Sequence, residues 1–329
     1  MATGVVPLKV GVHLPFSERQ MQGITPRWGD IVGIARRAEE VGFDSIWIAD
    51  HLLFRFEGIE PRGGWECLSL LAALAASTSR VEIGTLVVCT SFRNPALLAK
   101  IADTIEEISG GRLILGLGAG YHEPEYRAFG YPYDHRVGRF EEALQIVSSL
   151  LKTGQADFVG QYYEARECEL RPRGPRVGGP PIMIGTRGER MLRLTARHAD
   201  LWNGWIAYGD NRSSAVQPLR EAVDAACRDV GRDPATLGRT LTVLVDYIGT
   251  PDLPVRVIRP DSAPEPIVGS PTEIAAALQA FVAEGISHIQ VVLQPNNLEG
   301  LERFAPVLEA LRAHRGVGSS GTGAGLVRA

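Results

Sequence analysis

"LILGLGAGYHEPEY" spans residues 113–126. Its first six residues form an apolar run with no polar alternation, the pattern of a parallel strand covered on both faces. Alternating glycines, Gly116, Gly118 and Gly120, close the run and lead into Tyr121, His122 and Glu123. Three readings compete: a phosphate-cradling dinucleotide loop, a metal site, or a tight turn after a buried strand. G-L-G-A-G does not fit G-x-G-x-x-G, Pro124 stands where a helix should begin, and no acidic residue closes a second strand about 20 residues on. His122-Glu123 lacks the second histidine of H-E-x-x-H. A strand-end loop whose backbone faces a ligand is the reading that is left.

The same unit repeats along the chain. Apolar runs at 9–15, 45–50, 81–88, 181–185, 199–205, 240–248 and 288–294 read as further strands, each followed by a stretch of helical period. In the first of these helices Ile31, Ile34, Ala35, Ala38 and Val41 recur at helical spacing, and Gly42 supplies the stop. Residues 136–152 form the fourth long helix, and the last covers 298–313. The Gly-, Pro- and Arg-rich stretch 153–180 interrupts the rhythm and reads as an insertion, a hairpin plus an irregular segment. Eight βα units close most economically into a (β/α)8 TIM barrel with an insertion after the fourth helix. An open doubly wound sheet is the competitor, but no linker or composition shift divides the halves. The expected organisation is one barrel domain over 1–315 and a disordered Gly- and Ser-rich tail over 316–329.

Composition narrows the function classes. A formal net charge of −4 over 329 residues argues against a basic nucleic-acid footprint. The four cysteines, Cys67, Cys89, Cys168 and Cys227, show no C-x-x-C or paired metal spacing, so they read as reduced thiols, and no metal is expected. The N-terminus lacks a secretory signal pattern, and no apolar run approaches the roughly 18 residues of a membrane span. The expectation is a soluble, cytoplasmic protein without nucleic-acid or membrane partners.

A (β/α)8 barrel carries its active site at the C-terminal strand ends. Here these are His13, Asp50–His51, Val87–Cys89, Gly118–Tyr121, Gly185–Gly188 and Trp202–Asn203. The small residues would let backbone N–H groups approach a phosphate or a flat ring. Trp65, Trp202 and Trp205 are candidate walls of an apolar substrate pocket, with His13 beside them, whereas Trp47 alternates into the core. Cys89 reads as a small buried hydrophobe, and His122, His135 and His198 as structural. Arg166, Arg171, Arg173 and Arg176 in the insertion are either a solvated surface or a lid facing an anion.

These residues carry a resemblance. ADH (49–51), IGTLVVCTSFRNPALLAK (83–100), SGGRLILGLGAGYHEPEY (109–126), the FEEAL helix and PPIMIGTRGERMLRLTARHADLWN (180–203) stand in the order and spacing of a known family. The chain resembles the bacterial luciferase-like superfamily of flavin- and deazaflavin-dependent oxidoreductases over residues 8–313. The resemblance implies a barrel with an isoalloxazine-type ring at its C-terminal mouth, an insertion lid at 153–180, and a homodimer. It makes Asp50 and His51 ring-facing, with His51 the proton-transfer group or polariser and Asp50 its orienter. It places a non-prolyl cis peptide at Leu86–Val87, backbone donors at Ala119–Gly120 and a phosphate loop at Gly185, Thr186, Arg187 and Gly188. Where sugar-phosphate dehydrogenases of this family carry a proton-donating glutamate, this chain has Tyr121. A phenol of unperturbed pKa about 10 matches that role poorly at neutral pH, which disfavours a sugar-phosphate substrate.

The implied reading is hydride transfer between the deazaflavin coenzyme F420 and a small organic substrate. The alternative is monooxygenation with FMN delivered reduced by a flavin reductase partner. A non-catalytic flavin-binding barrel is the third possibility.

Overall fold

The computed structural model describes residues 7–207, 209–249 and 265–317. Strands β1 (Lys9–His13), β2 (Ser45–Ile48), β5 (Glu82–Thr85), β7 (Leu113–Gly118), β10 (Ile182–Gly185), β11 (Leu201–Trp205), β12 (Gly238–Asp246) and β13 (His288–Gln294) form one parallel sheet. Pairing of β7 with β10 and of β13 with β1 closes it into a barrel, and the short β6 (Val88–Cys89) pairs with the end of β7. The helices lie outside: α1 (Trp28–Val41), α2 (Cys67–Ser77), α3 (Pro95–Ser109), α5 (Arg136–Thr153), α6 (Glu189–His198), α7 (Gln217–Asp229), α8 (Pro271–Ala280) and α9 (Leu298–Val317). This is the (β/α)8 fold expected from the unit count. The tail beyond 317 lies outside the described residues, and the last helix runs four residues past the expected 313.

Every residue of β7 is buried, as the unbroken apolar run requires. Leu113, Leu115 and Leu117 join the core between sheet and helices, while Ile114 packs inside the barrel with Trp47, Leu86 and Met183. Much of the remaining barrel interior is polar and hydrogen-bonded. Near the N-terminal end, Trp47 Nε1 donates to Ser45 Oγ, which bonds His288 Nε2, both at 2.7 Å. Higher up, Asn203 Nδ2 donates to Thr240 Oγ1 (2.8 Å) and Gln290 Oε1 (2.9 Å). These layers plug the barrel and leave open space only at the mouth.

Helix boundaries follow local chemistry. Asn94 caps α3 by accepting from the Ala96 and Leu97 N–H groups, with Pro95 in the first turn, and Gly110 ends it at φ 64°. Pro124 does not exclude a helix as the sequence reading held. It lies in the first turn of α4 (Glu123–Phe129), where a missing N–H costs nothing.

The insertion forms the expected hairpin, β8 (Gln155–Val159) with β9 (Glu164–Glu169), followed by an irregular stretch. Its position differs from the expected lid. Arg173 pairs with Asp103 and Arg176 with Glu106, both on α3, while Glu142 of α5 accepts from the backbone of 161–163. Buried carboxylates on the barrel wall thus hold the insertion's arginines, and no residue of 153–180 lines the mouth. The segments over the mouth are instead residues 16–23 and the ribbon of β3 (Leu53–Phe54) with β4 (Arg62–Gly63).

Candidate active site

A cavity of about 1350 Å³ opens at the C-terminal ends of the strands. Ligand pockets commonly measure about 300–1,000 Å³, so this one has room for a tricyclic ring system and a second small molecule. It is lined by His13, Asp50, His51, Leu86, Val87, Cys89, Gly118, Ala119, Gly120, Tyr121, Gly185, Thr186 and Arg187 among others. Most of the expected site residues therefore converge, although Val88 turns into the core.

Trp202, Trp65 and Gly188 stand outside the lining. In β11, alternation sends Asn203 and Trp205 inward and Trp202 outward, where its Nε1 donates to the Thr186 carbonyl at 2.8 Å. Trp65 follows the β3–β4 ribbon; its Nε1 donates to the Pro26 carbonyl, and the side chain is 43% exposed. Neither lines this cavity. Gly188 caps α6 from outside the cavity, its N–H donating to Thr186 Oγ1 at 3.2 Å. The Thr186 N–H is likewise engaged, on the Asn203 carbonyl. The expected phosphate loop is thereby narrowed to Gly185, Thr186 Oγ1 and Arg187, whose guanidinium also donates to the Trp205 carbonyl.

His51 is not oriented by Asp50. Its Nδ1 faces Glu125 Oε2 at 3.0 Å, and Glu125 Oε1 accepts from the Leu52 and Leu53 N–H groups at 2.7 and 2.9 Å. A carboxylate already accepting from two N–H groups requires a proton on Nδ1, so Nε2 is the nitrogen left for the cavity. Phe54 packs against the imidazole at 4.4 Å between centroids and Tyr121 meets it edge-on at 5.5 Å.

Asp50 has other work. Both its oxygens accept from Arg93, at 2.6 and 2.9 Å, and Oδ2 also accepts from the Cys89 N–H at 2.9 Å. Arg93 in turn reaches Glu66, the residue capping α2. These charges raise the Arg93 pKa against the opposing effect of burial. Asp50 thus clamps the segment 86–89, whose Leu86–Val87 peptide is cis.

The glycines of the opening stretch make room for protein rather than for a ligand. A Cβ at Gly116 would overlap the Thr85 carbonyl oxygen, and one at Gly118 would sit 2.7 Å from Val87 Cγ2. Gly185 approaches Val87 from the other side, so this side chain is wedged between two glycines. Gly120, at φ 69°, is hemmed in by the Tyr126 hydroxyl and the Cys89 sulfur. Burial pushes the Cys89 thiol up to about 12, which favours the protonated thiol at neutral pH.

His13 lies on the wall at 3% exposure, between Phe16 and Trp205. Burial, and secondarily the neighbouring His51, lower its pKa to about 4, so the ring is neutral at physiological pH. His122 supports the loop, its Nε2 accepting from the Arg55 N–H.

Glu125, Arg93 and Arg136 escaped the sequence reading. Arg136 lines the cavity and donates to the Gly120 carbonyl at 2.6 Å. Glu125 left a signal, an acid on the short helix directly after the glycines, but Pro124 masked that helix. Among the described residues no three metal-ligating side chains converge.

The residues present fit a flat ring with an anionic tail: an apolar wall at Leu86–Val87, small residues beside it and Arg136 and Arg187 at the rim. The F420-dependent glucose-6-phosphate dehydrogenase of Amycolatopsis mediterranei is 34% identical over 215 residues, 62% of each chain. Pyrimidine monooxygenase RutA of Stutzerimonas stutzeri is 32% identical over 214 residues, 60% of this chain and 56% of the relative. The chain thus spans about three fifths of these relatives' length. A solved F420-dependent secondary alcohol dehydrogenase, in complex with an F420-acetone adduct, superposes with TM-score 0.76 at 19% identity, covering 93% of this chain and 99% of the other. The family described as luciferase-like monooxygenase matches residues 8–252, and the chain belongs to it.

Proposed function

We propose that the protein is an F420-dependent oxidoreductase that moves a hydride to or from a carbon bearing oxygen in a small, largely apolar substrate. The observation that carries this reading is His51, held by the buried Glu125 with Nε2 toward the cavity. Interconverting a hydroxyl and a carbonyl requires a proton at oxygen, and an imidazole backed by a carboxylate is built to hold or release one. F420, when bound, supplies or accepts the hydride. Leu86, Val87, Ala119 and Gly120 would flank its ring, and Arg136 and Arg187 its phosphate. Glu125 holds the His51 ring by its Nδ1 and so fixes its orientation and tautomer. Phe54 shields the ring from water on one side. Relatives named for F420-dependent dehydrogenation support the cofactor choice. Phe16, Phe54, Phe56 and Trp205 line the substrate side and offer a polyhydroxylated sugar few hydrogen bonds, which agrees with Tyr121 in place of a glutamate.

FMN-dependent monooxygenation is the second reading, supported by the RutA likeness. It would need reduced flavin from a reductase partner. Titration of the purified protein with F420 and with FMN, followed by cofactor fluorescence, separates the two. Micromolar binding of F420 and bleaching of its absorbance with secondary alcohols is the expected result. Binding of FMN alone transfers the assignment to the monooxygenase, and binding of neither overturns both.

A further inference from the structure

Three buried side-chain nitrogens on the cavity wall have no hydrogen-bond partner among the described residues. Both ring nitrogens of His13 are buried without a hydrogen bond, and so is Nε of Arg62. The Arg62 guanidinium makes no ion pair among these residues either. Nearby acids are already engaged: Glu60 pairs with Arg19, and Glu18 Oε2 accepts from the Gly63 N–H at 2.6 Å. A half-buried cation without a counter-charge is costly to maintain and has a use when a ligand supplies the anion.

Arg62 belongs to the substrate side of the mouth. In the β3–β4 ribbon it stands opposite Phe54, so both side chains leave the same face, and Phe54 packs on His51. The ribbon is pinned beside the end of β1, where Ser17 bridges to Gly64. β1 and β10 lie four strands apart in the closed ring of eight, so Arg62 sits across the mouth from Gly185–Arg187. An anion at Arg62 would therefore be distinct from one held at Gly185–Arg187. Between Arg62 and His13 runs an aromatic wall: Phe54 meets Phe16 at 6.4 Å, and Phe16 meets His13 at 5.9 Å.

We infer that the substrate is an organic carboxylic acid with an aromatic or alicyclic body. Its carboxylate pairs with Arg62, its body lies along Phe16 and Phe54, and an oxygen at its far end hydrogen-bonds His13. This rests on the oxidoreductase reading above and adds a substrate class to it. The bidentate guanidinium–carboxylate pair sets orientation, and neutral His13 discriminates for a hydroxyl or carbonyl deeper in the cavity.

The test compares benzoate and cyclohexanecarboxylate with their amides, and with phenyl phosphate, by calorimetric titration of the protein with and without F420. Each acid is expected to bind at least tenfold more tightly than its amide. Arg62→Met should erase that preference, leave amide and F420 affinities unchanged, and Arg62→Lys should restore part of it. Equal binding of acids and amides by the wild type overturns the inference, as does undetectable binding of every probe. Tighter binding of phenyl phosphate than of benzoate overturns the carboxylate assignment. Equal loss of acid and amide binding in Arg62→Met reduces Arg62 to a structural role. Failure of F420 to bind appears separately, before any acid is added, and counts against the cofactor reading alone.

Discussion

At the scale of single residues, two carboxylates divide the work that one was expected to do. Glu125 serves His51, and Asp50 serves Arg93 and the Cys89 amide. His51→Ala should lower turnover by about 10²–10⁴-fold, the range of a positioned proton-transfer group, with F420 affinity held within about threefold. A variant retaining full turnover would take His51 out of the mechanism. Glu125→Gln should lower turnover too, because an amide that can present either its oxygen or its NH2 to Nδ1 no longer fixes the His51 tautomer. Arg93→Met leaves Asp50 buried beside no counter-charge, which costs about 3–5 kcal/mol for such pairs. Urea unfolding measures it, and a loss below about 1 kcal/mol would show that Asp50 finds another partner. Asp50 and His51 were legible in the sequence as neighbours at a strand end. Their actual partners were not, because Glu125 and Arg93 lie 74 and 43 positions away from them in the chain.

At the scale of elements, β7 shows how one run of sequence serves two surfaces. Its leucines bury against helices while its glycines face inward, under Thr85 and Val87. Gly116→Ala should therefore destabilise by about 1–3 kcal/mol or more, since the obstructing atom is a backbone oxygen that cannot swing aside. Thermal unfolding tests this, and a neutral effect would show that β5 and β7 can separate locally. By contrast Gly130, which ends α4 at φ 76°, has open space around it, so its cost on substitution comes from backbone conformation alone. The insertion shows the limit of composition as a guide. Its arginines suited either an anion-facing lid or an exposed surface, and two of them found buried carboxylates on α3 instead.

For the whole molecule, two buried histidines link stability to pH. Burial lowers His288 to about 3 and His13 to about 4, against about 6.5 in the unfolded chain. The unfolded state therefore binds more protons than the folded state across that interval, and stability rises with pH there. The contribution of the neutral rings is complete above about pH 6.5 and is lost progressively as pH falls toward 4, on the order of a few kcal/mol for each ring. Urea midpoints measured between pH 4.5 and 7 should show this slope, and His288→Asn should flatten it. A midpoint independent of pH would contradict the buried, neutral assignment. By itself the sequence determined the α/β class and the unit count: eight apolar strands, each followed by an amphipathic helix, bury their faces most economically in a closed barrel. It also determined which strand ends meet, because parallel strands must all present their C-terminal ends to one side. Only the tertiary structure decided which charge pairs with which, and which segments cover the mouth. Those outcomes depend on side chains from distant elements competing for the same few buried hydrogen bonds, and local pattern carries no record of that competition.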